Sequence, residues 1–146
     1  KLTGVVVVKK NIKVTNNDAD PNDPKAATGV LHNPHGYAIK GPKSSTMFNL
    51  PLPEKGQSIE KKVIIRQAGS HMMIECDQHN YMRAFFQPVD NPYYAIVGED
   101  GTFSIDQVPP GEYEIEAFHP TLGTQTAKIT VAAGGAVTSD FSFSPK

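Results

Sequence analysis

The chain has 146 residues, a formal net charge of −1 and one cysteine, and these values limit its class. The length fits one average domain or two small ones. The near-neutral charge argues against nucleic acid as a partner, and no run approaches the roughly 18 apolar residues of a membrane span. A single cysteine excludes a disulfide framework, a haem attachment motif and a multi-cysteine zinc site.

Charge is divided unevenly along the chain. Residues 1–90 carry 12 Lys and Arg against 8 Asp and Glu, whereas residues 91–146 carry 2 against 7. Such a difference could steer docking toward an acidic partner surface, although two ordinary solvated surfaces explain it equally well. No signal peptide is visible before the first strand, and we expect that a leader or upstream segment has been removed or is unseen.

Short apolar runs separated by turn residues predict an all-β chain. Residues 4–8, a glycine followed by four β-branched valines, predict a buried strand, and residues 12–15 predict the next one. A polar loop is expected over residues 16–29, and the Gly, Pro and Ser of residues 38–45 predict a second loop. Further strands are expected at residues 47–50, 58–67, 71–76 and 83–86.

The pattern of polar and apolar residues changes in the second half of the chain. Residues 112–118 alternate acidic and apolar side chains, which predicts a strand with one solvent-exposed face and one face toward the core. The sequence Glu99-Asp100-Gly101 is a hairpin turn signal. Evenly spaced short strands without a helical period favour β-sandwiches, and we place a domain boundary between residues 90 and 91. The other strands expected here are residues 92–97, 102–106, 125–131 and 137–143.

The segment from Cys76 to Met82 carries the chemistry that the sequence predicts. Cys76, His79 and Met82 offer a thiolate, an imidazole and a thioether within one loop between two predicted strands. A blue-copper electron-transfer site binds its ion with two His and one Cys in a plane and a weak axial Met. The loop lacks a second His, for which His32 and His35 are the candidates. Their chemistry alone does not separate them.

Taken singly, the same residues have simpler explanations. Cys76 could be a buried apolar thiol, because free Cys is among the most buried residue types. His71 is expected on a strand surface, and His119 is expected to pack beside Pro120. The chain has no nucleophile elbow, phosphate loop or paired acids, so we expect that it is not an enzyme and acts on no small-molecule substrate.

The candidate ligands and their neighbours resemble those of cupredoxins. A strand that ends in Asn16-x-Asp18 and leads to His32-Asn33 is similar to the cupredoxin pattern. Cys76-x-x-His79-x-x-Met82 has the spacing of the short ligand loop in amicyanin. The resemblance implies one mononuclear type 1 copper site, with backbone N–H groups near Asn33 donating to the sulfur. It implies as copper ligands His32, Cys76, His79 and Met82.

Downstream, the chain resembles bacterial secreted proteins described as methylamine-utilisation or plastocyanin-like. In those proteins a cupredoxin module precedes a carboxypeptidase-regulatory-like (transthyretin-like) β-sandwich. The resemblance implies a cupredoxin-like Greek-key β-sandwich over residues 1–90. Because few residues precede His32, we expect that an N-terminal strand is missing or comes from a neighbour. Residues 91–146 are expected to form the second, smaller β-sandwich. The segments that carry this likeness are residues 90–97, 100–105, 108–113 and 118–119.

The function that the resemblance implies is electron transfer in the periplasm or outside the cell. The protein would act alone or as the redox subunit of a larger extracytoplasmic complex, with a partner such as a c-type cytochrome. Electrons would pass through the exposed edge of His79, and Pro34, Tyr81 and Phe48 would form the docking patch. The alternative is a structural or adhesion subunit with a vestigial or purely structural metal site.

Overall fold

The chain folds as two compact units, residues 1–91 and residues 92–146, and the computed structural model describes residues 3–23, 25 and 28–145. Every regular element in the described ranges is a strand, so the expected all-β class is confirmed. These ranges accordingly hold no helix able to cross a membrane. The predicted boundary lies one residue from the division between the units. Residues 1 and 2, at the start of the chain, and residues 24, 26 and 27 of the expected polar loop lie outside the described residues.

The first unit is built on a mixed sheet of five strands. Its strands are Thr3–Val7 (β1), Pro34–Lys40 (β4), Lys43–Asn49 (β5), His71–Cys76 (β8) and His79–Val89 (β9). The outer strand β1 runs parallel to β9, and the other neighbours are antiparallel, in the order β1-β9-β8-β4-β5. Two antiparallel pairs accompany this sheet: Asn11–Thr15 (β2) with Ser58–Lys62 (β7), and Thr28–His32 (β3) with Leu52–Glu54 (β6).

One apolar cluster joins the main sheet to the β2–β7 pair. Ile12 from β2 and Ile59 from β7 pack against this cluster, so the two sheets bury a common core, as in a β-sandwich. The buried members of the cluster are Val6, Phe48, Val63 and Met72.

Two expectations about the first unit are wrong. Residues 38–45 do not form a loop, because β4 and β5 continue through them to a two-residue turn with Gly41 in a left-handed conformation (φ 56°). The Gly and Pro signal therefore marks a tight hairpin turn. The valine run is not buried throughout either: Val6 is 6% exposed, whereas Val7 is 39% exposed, since neighbouring side chains point to opposite faces of a strand.

The second unit contains one regular hairpin. Gly111–His119 (β10) pairs with Gly123–Val131 (β11) in unbroken antiparallel register, as the alternation of acidic and apolar residues predicts. The turn expected at residues 99–101 is present, with the Gly98 N–H donating to the Thr102 carbonyl at 2.8 Å. The strands expected at residues 92–97, 102–106 and 137–143 are wrong. An alternating pattern describes exposure, but a strand also requires a backbone partner.

Candidate metal centre

Three side chains converge where strands of the first unit end or begin. His32 is the last residue of β3, Cys76 is the last of β8, and His79 is the first of β9. The Cys76 Sγ atom lies 3.7 Å from His32 Nδ1 and 3.4 Å from His79 Nδ1. One ligand atom from each residue lies within 4.8 Å of the others. Cys76 is 7% and His32 8% exposed, and His79 is half-buried.

These separations fit ligands of one metal ion. With metal–sulfur and metal–nitrogen bonds of about 2.3 and 2.0 Å, trigonal or tetrahedral angles place sulfur and nitrogen about 3.5–3.7 Å apart. The two Sγ–Nδ1 distances, 3.7 and 3.4 Å, match this spacing closely. The three side chains can therefore hold a metal ion without a large rearrangement.

The outer nitrogen of His32 has its own partner. Its Nε2 lies 2.8 Å from Asp18 Oδ2, so the N–H donates to the carboxylate and Nδ1 is left as the ligand atom. A histidine that ligates a metal commonly donates its second ring N–H to a carboxylate in this way. The sequence pattern Asn16-x-Asp18 was noted above, but this role for Asp18 emerges only from the structure.

Asn16 explains why Asp18 reaches His32. Its side chain, which is 3% exposed, donates to the carbonyls of Val30 and Leu52 and accepts the N–H of Asp18 at 3.0 Å. The loop also passes close to Gly29, where a Cβ atom would lie 2.8 Å from the Asp18 carbonyl oxygen. A residue without a side chain is thus required for the two segments to meet.

The surroundings of the Cys76 sulfur favour a thiolate. Burial by itself raises the pKa of the Cys76 thiol, but hydrogen bonds outweigh it and lower the pKa to about 6. The backbone N–H of Asn33 donates at 3.4 Å, which confirms the expected donor. The other donors are the imidazole of His32, the backbone N–H of Gln78 and the imidazole of His79.

The pKa of His32 is shifted in the opposite direction to that of Cys76. Its burial lowers the pKa of the imidazole, yet hydrogen bonds with Cys76 and Asp18 outweigh this effect and raise the pKa. Without a metal, the site therefore favours a thiolate beside an imidazolium. A bound cation would replace the shared proton, because metals bind the thiolate and the neutral imidazole.

Met82 lies in a bulge of the ligand loop. Glu75 and Cys76 are adjacent on β8, but their partners on β9 are Arg83 and His79, which leaves residues 80–82 as extra residues of β9. Arg83 closes the base of the bulge with two hydrogen bonds to Glu75 Oε2, at 2.7 and 3.0 Å. Met82 is 37% exposed, and its role as the axial ligand stays a prediction.

His35 is not part of the described His–Cys–His group. Its Nε2 lies 2.9 Å from Thr46 Oγ1, and its Nδ1 lies 2.7 Å from the Tyr37 hydroxyl and 3.1 Å from Asp77 Oδ1. Asp77 also accepts a hydrogen bond from Asn49 at 2.9 Å. His35 thus supports the loop beside Cys76, and the contribution of Asp77 was not evident from the sequence.

The prediction of an exposed docking patch is wrong for two of its three residues, because both are buried. Phe48 is 7% exposed and belongs to the core, and Pro34 is buried on β4. Tyr81 is 76% exposed, and its ring centroid lies 5.8 Å from that of His79. A partner that approaches the half-buried His79 would therefore meet Tyr81.

One comparison with known proteins gives a match. The model of the family described as polysaccharide lyase family 4, domain II, matches residues 79–139, which is less than half of the chain. The matched segment runs from β9 through the β10–β11 hairpin. No curated protein and no solved structure matches the chain.

Proposed function

We propose that the protein transfers electrons outside the cytoplasm by means of one type 1 copper ion. In this proposal residues 1–90 form a cupredoxin-like unit with ligands His32, Cys76, His79 and Met82. Residues 91–146 form a carboxypeptidase-regulatory-like unit. The observation that carries the proposal is the convergence of one thiol and two imidazole Nδ1 atoms at the spacing of metal ligands.

The chemistry of the donor set supports copper. A site with two His, one Cys and a weak axial Met is that of blue-copper proteins, and bound copper would supply one-electron chemistry between Cu(I) and Cu(II). Cys76 is held as a thiolate by its hydrogen-bond donors, and Asp18 fixes the orientation of the His32 ring. Ligands on paired strand ends resist movement, which favours fast electron transfer with little reorganisation.

The surface route of the electron would pass through His79. This side chain is half-buried and lies beside the exposed ring of Tyr81. A c-type cytochrome or a larger extracytoplasmic redox complex would dock over these two residues. The net positive charge of residues 1–90 would favour a partner with an acidic surface.

Copper titration of the metal-free protein tests the proposal. We expect one equivalent of Cu(II) to bind and to give an intense visible thiolate-to-copper charge-transfer band. Cys76→Ser and His32→Gln should abolish the band, whereas His35→Gln should keep it because His35 is not in the ligand group. A colourless protein, or one that prefers zinc and gives no band with copper, would exclude the electron-transfer function.

A second candidate function is a structural or adhesion subunit. It is favoured by the family match over residues 79–139, which is to domain II of polysaccharide lyase family 4 and not to a redox family. In that case residues 91–146 would bind protein or glycan, and the metal site would be vestigial or structural. Cys76→Ser separates the two candidates. It would abolish function if the protein transfers electrons, and it would leave assembly and partner binding intact if the protein is a structural or adhesion subunit.

A further inference from the structure

A basic cleft lies at the end of the main sheet opposite the candidate metal centre. On β4, Pro34 is the register partner of Cys76, whereas Lys40 ends the strand, about 20 Å away at the rise of an extended chain. The cleft has a volume of about 450 Å³, within the range of about 300–1,000 Å³ for small-molecule sites. It belongs entirely to the first unit and is independent of the proposed copper function.

Four cationic side chains line this cleft, and no described carboxylate does. Lys40 ends β4, Lys43 begins β5, Lys62 ends β7, and Arg66 follows β7. Among the described residues, none of the four forms an ion pair within 4.0 Å. Unpaired positive charges around one concavity raise the local concentration of anions.

The placement of two lysines is unfavourable without a ligand. Lys40 and Lys43 are direct partners in the β4–β5 register, and like charges opposite each other destabilise a strand pair. The Lys40 ammonium group is also held in place, because it donates to the Ala68 carbonyl at 2.6 Å. An anion between the two side chains would relieve their repulsion.

The remaining lining indicates an organic anion rather than a simple ion. Ser44, Ser45 and Ser70 add hydroxyl groups, and Met47 and Ile64 add apolar surface. Ile64 is 44% exposed although it is a large aliphatic side chain. We infer that the cleft binds a small organic polyanion, a carbon skeleton that bears two or more carboxylate or sulfate groups.

Calorimetric titration of the whole protein at moderate salt tests this inference. The probes are citrate, a sulfated disaccharide and inorganic phosphate, which has charge but no carbon skeleton. We expect saturable one-to-one binding of citrate or the disaccharide, at least tenfold tighter than that of phosphate. The better probe identifies the acid group. Absence of saturable binding, or binding of phosphate as tight as that of both organic anions, would overturn the inference.

Paired lysine variants locate the site. The double variant Lys40→Gln/Lys43→Gln should weaken binding at least tenfold, and Arg66→Gln should weaken it as a second, independent test. The matched control is Lys9→Gln/Lys10→Gln, which removes two neighbouring exposed lysines that do not line the cleft. It should change affinity less than twofold. Equal losses in the two double variants would mean general charge attraction and would contradict a built site.

Discussion

Asp18 and His32 are joined by a hydrogen bond of 2.8 Å between Oδ2 and Nε2, across 14 residues of sequence. This bond leaves the other ring nitrogen of His32 facing the Cys76 sulfur at 3.7 Å. The carboxylate thus selects the tautomer in which Nδ1 is free to bind a metal. Asp18 therefore acts on the site through its contact with His32.

Replacement of Asp18 should weaken metal binding. Residues that orient a ligating His typically contribute 10–100-fold to metal affinity. Because the Asp18 side chain is 60% exposed, we expect the Asp18→Asn variant to lose about tenfold, at the lower end of that range. Competition with a chelator of known copper affinity measures the change.

Asp23→Asn is the matched control for this experiment. It removes the same charge from the same loop, but the Asp23 carboxylate accepts the nearby Lys25 N–H and does not contact His32. The copper affinity of the Asp23→Asn variant should remain within twofold of that of the wild type. An Asp18→Asn variant that binds copper as tightly as the control would show that the hydrogen bond does not position His32.

The Cys76 thiol of the metal-free protein should ionise near pH 6. Its pKa is lowered to about 6, whereas an unperturbed Cys has a pKa of about 8.5. At Cys76, the native state thus binds fewer protons than the unfolded chain between these values. The contribution of the thiolate to stability is complete above the unfolded pKa and is lost as the pH falls through about 6.

The ultraviolet absorbance of the thiolate follows this ionisation directly. Cys76→Ser gives the baseline, because the chain has no other cysteine. His32→Gln removes one of the partners that lower the pKa, so its midpoint should move to higher pH. A wild-type midpoint at the ordinary value for Cys would mean that the sulfur is not held by these donors.

Local spacing explains why part of the candidate site was predictable. Cys76 and His79 lie three residues apart, so a turn between two strands brings them together whatever the rest of the fold. His32 lies 44 residues before Cys76. The chemistry of the side chains gives no reason to choose it over His35 as the second imidazole ligand, and only the resemblance to the cupredoxin pattern favoured it. The structure separates them: His35 pairs with Glu75 in the β4–β8 register, so its side chain lies on the opposite face of the sheet from that of Cys76. His32 Nδ1, by contrast, lies 3.7 Å from the Cys76 sulfur.

The features that sequence reasoning missed depend on long-range pairing. Asp77 receives hydrogen bonds from side chains 28 and 44 residues away, which no local pattern encodes. The strand of residues 112–118 was predicted correctly because its alternation coincides with a partner strand. Residues 102–106 alternate equally well, but they have no ladder partner in the described chain.

Met82 should tune the redox potential without being required for metal binding. In the proposed site it is a weak axial ligand, and a blue-copper potential depends on that ligand. Met82→Leu removes a donor that favours the more highly charged Cu(II). We therefore expect one equivalent of copper still to bind and the reduction potential to rise by about 60 mV or more. For one electron, this shift is a tenfold change in the equilibrium constant between the Cu(I) and Cu(II) forms.

Voltammetry of the copper-loaded variants measures this shift. Met73→Leu is the control, because Met73 lies within β8 and precedes the ligand loop. Its potential should stay near the wild-type value. If Met82→Leu and the wild type had equal potentials, Met82 would not be an axial ligand and the copper site would have another fourth group or none.

Gly36 should be intolerant of a side chain because it lies against the core. It pairs with Phe48 in the β4–β5 register, and a Cβ atom on Gly36 would lie 2.6 Å from Phe48 Cζ and 2.9 Å from Cδ1. Phe48 is buried and cannot turn into solvent. Overpacking of this kind costs about 1–3 kcal/mol, so Gly36→Ala should lower the free energy of unfolding by that amount.

A double-mutant cycle in urea distinguishes this clash from a general effect on β4. Phe48→Leu alone should destabilise through lost packing, by roughly 1 kcal/mol or more. In the double variant Gly36→Ala/Phe48→Leu, the smaller side chain leaves room for the new methyl group. The two changes should therefore cost less together than the sum of each alone, by about 1 kcal/mol. Measured on the metal-free protein, strictly additive losses would contradict the clash. They would locate the cost of Gly36→Ala in the backbone, where the β4–β5 register shifts between Gly36 and Tyr37.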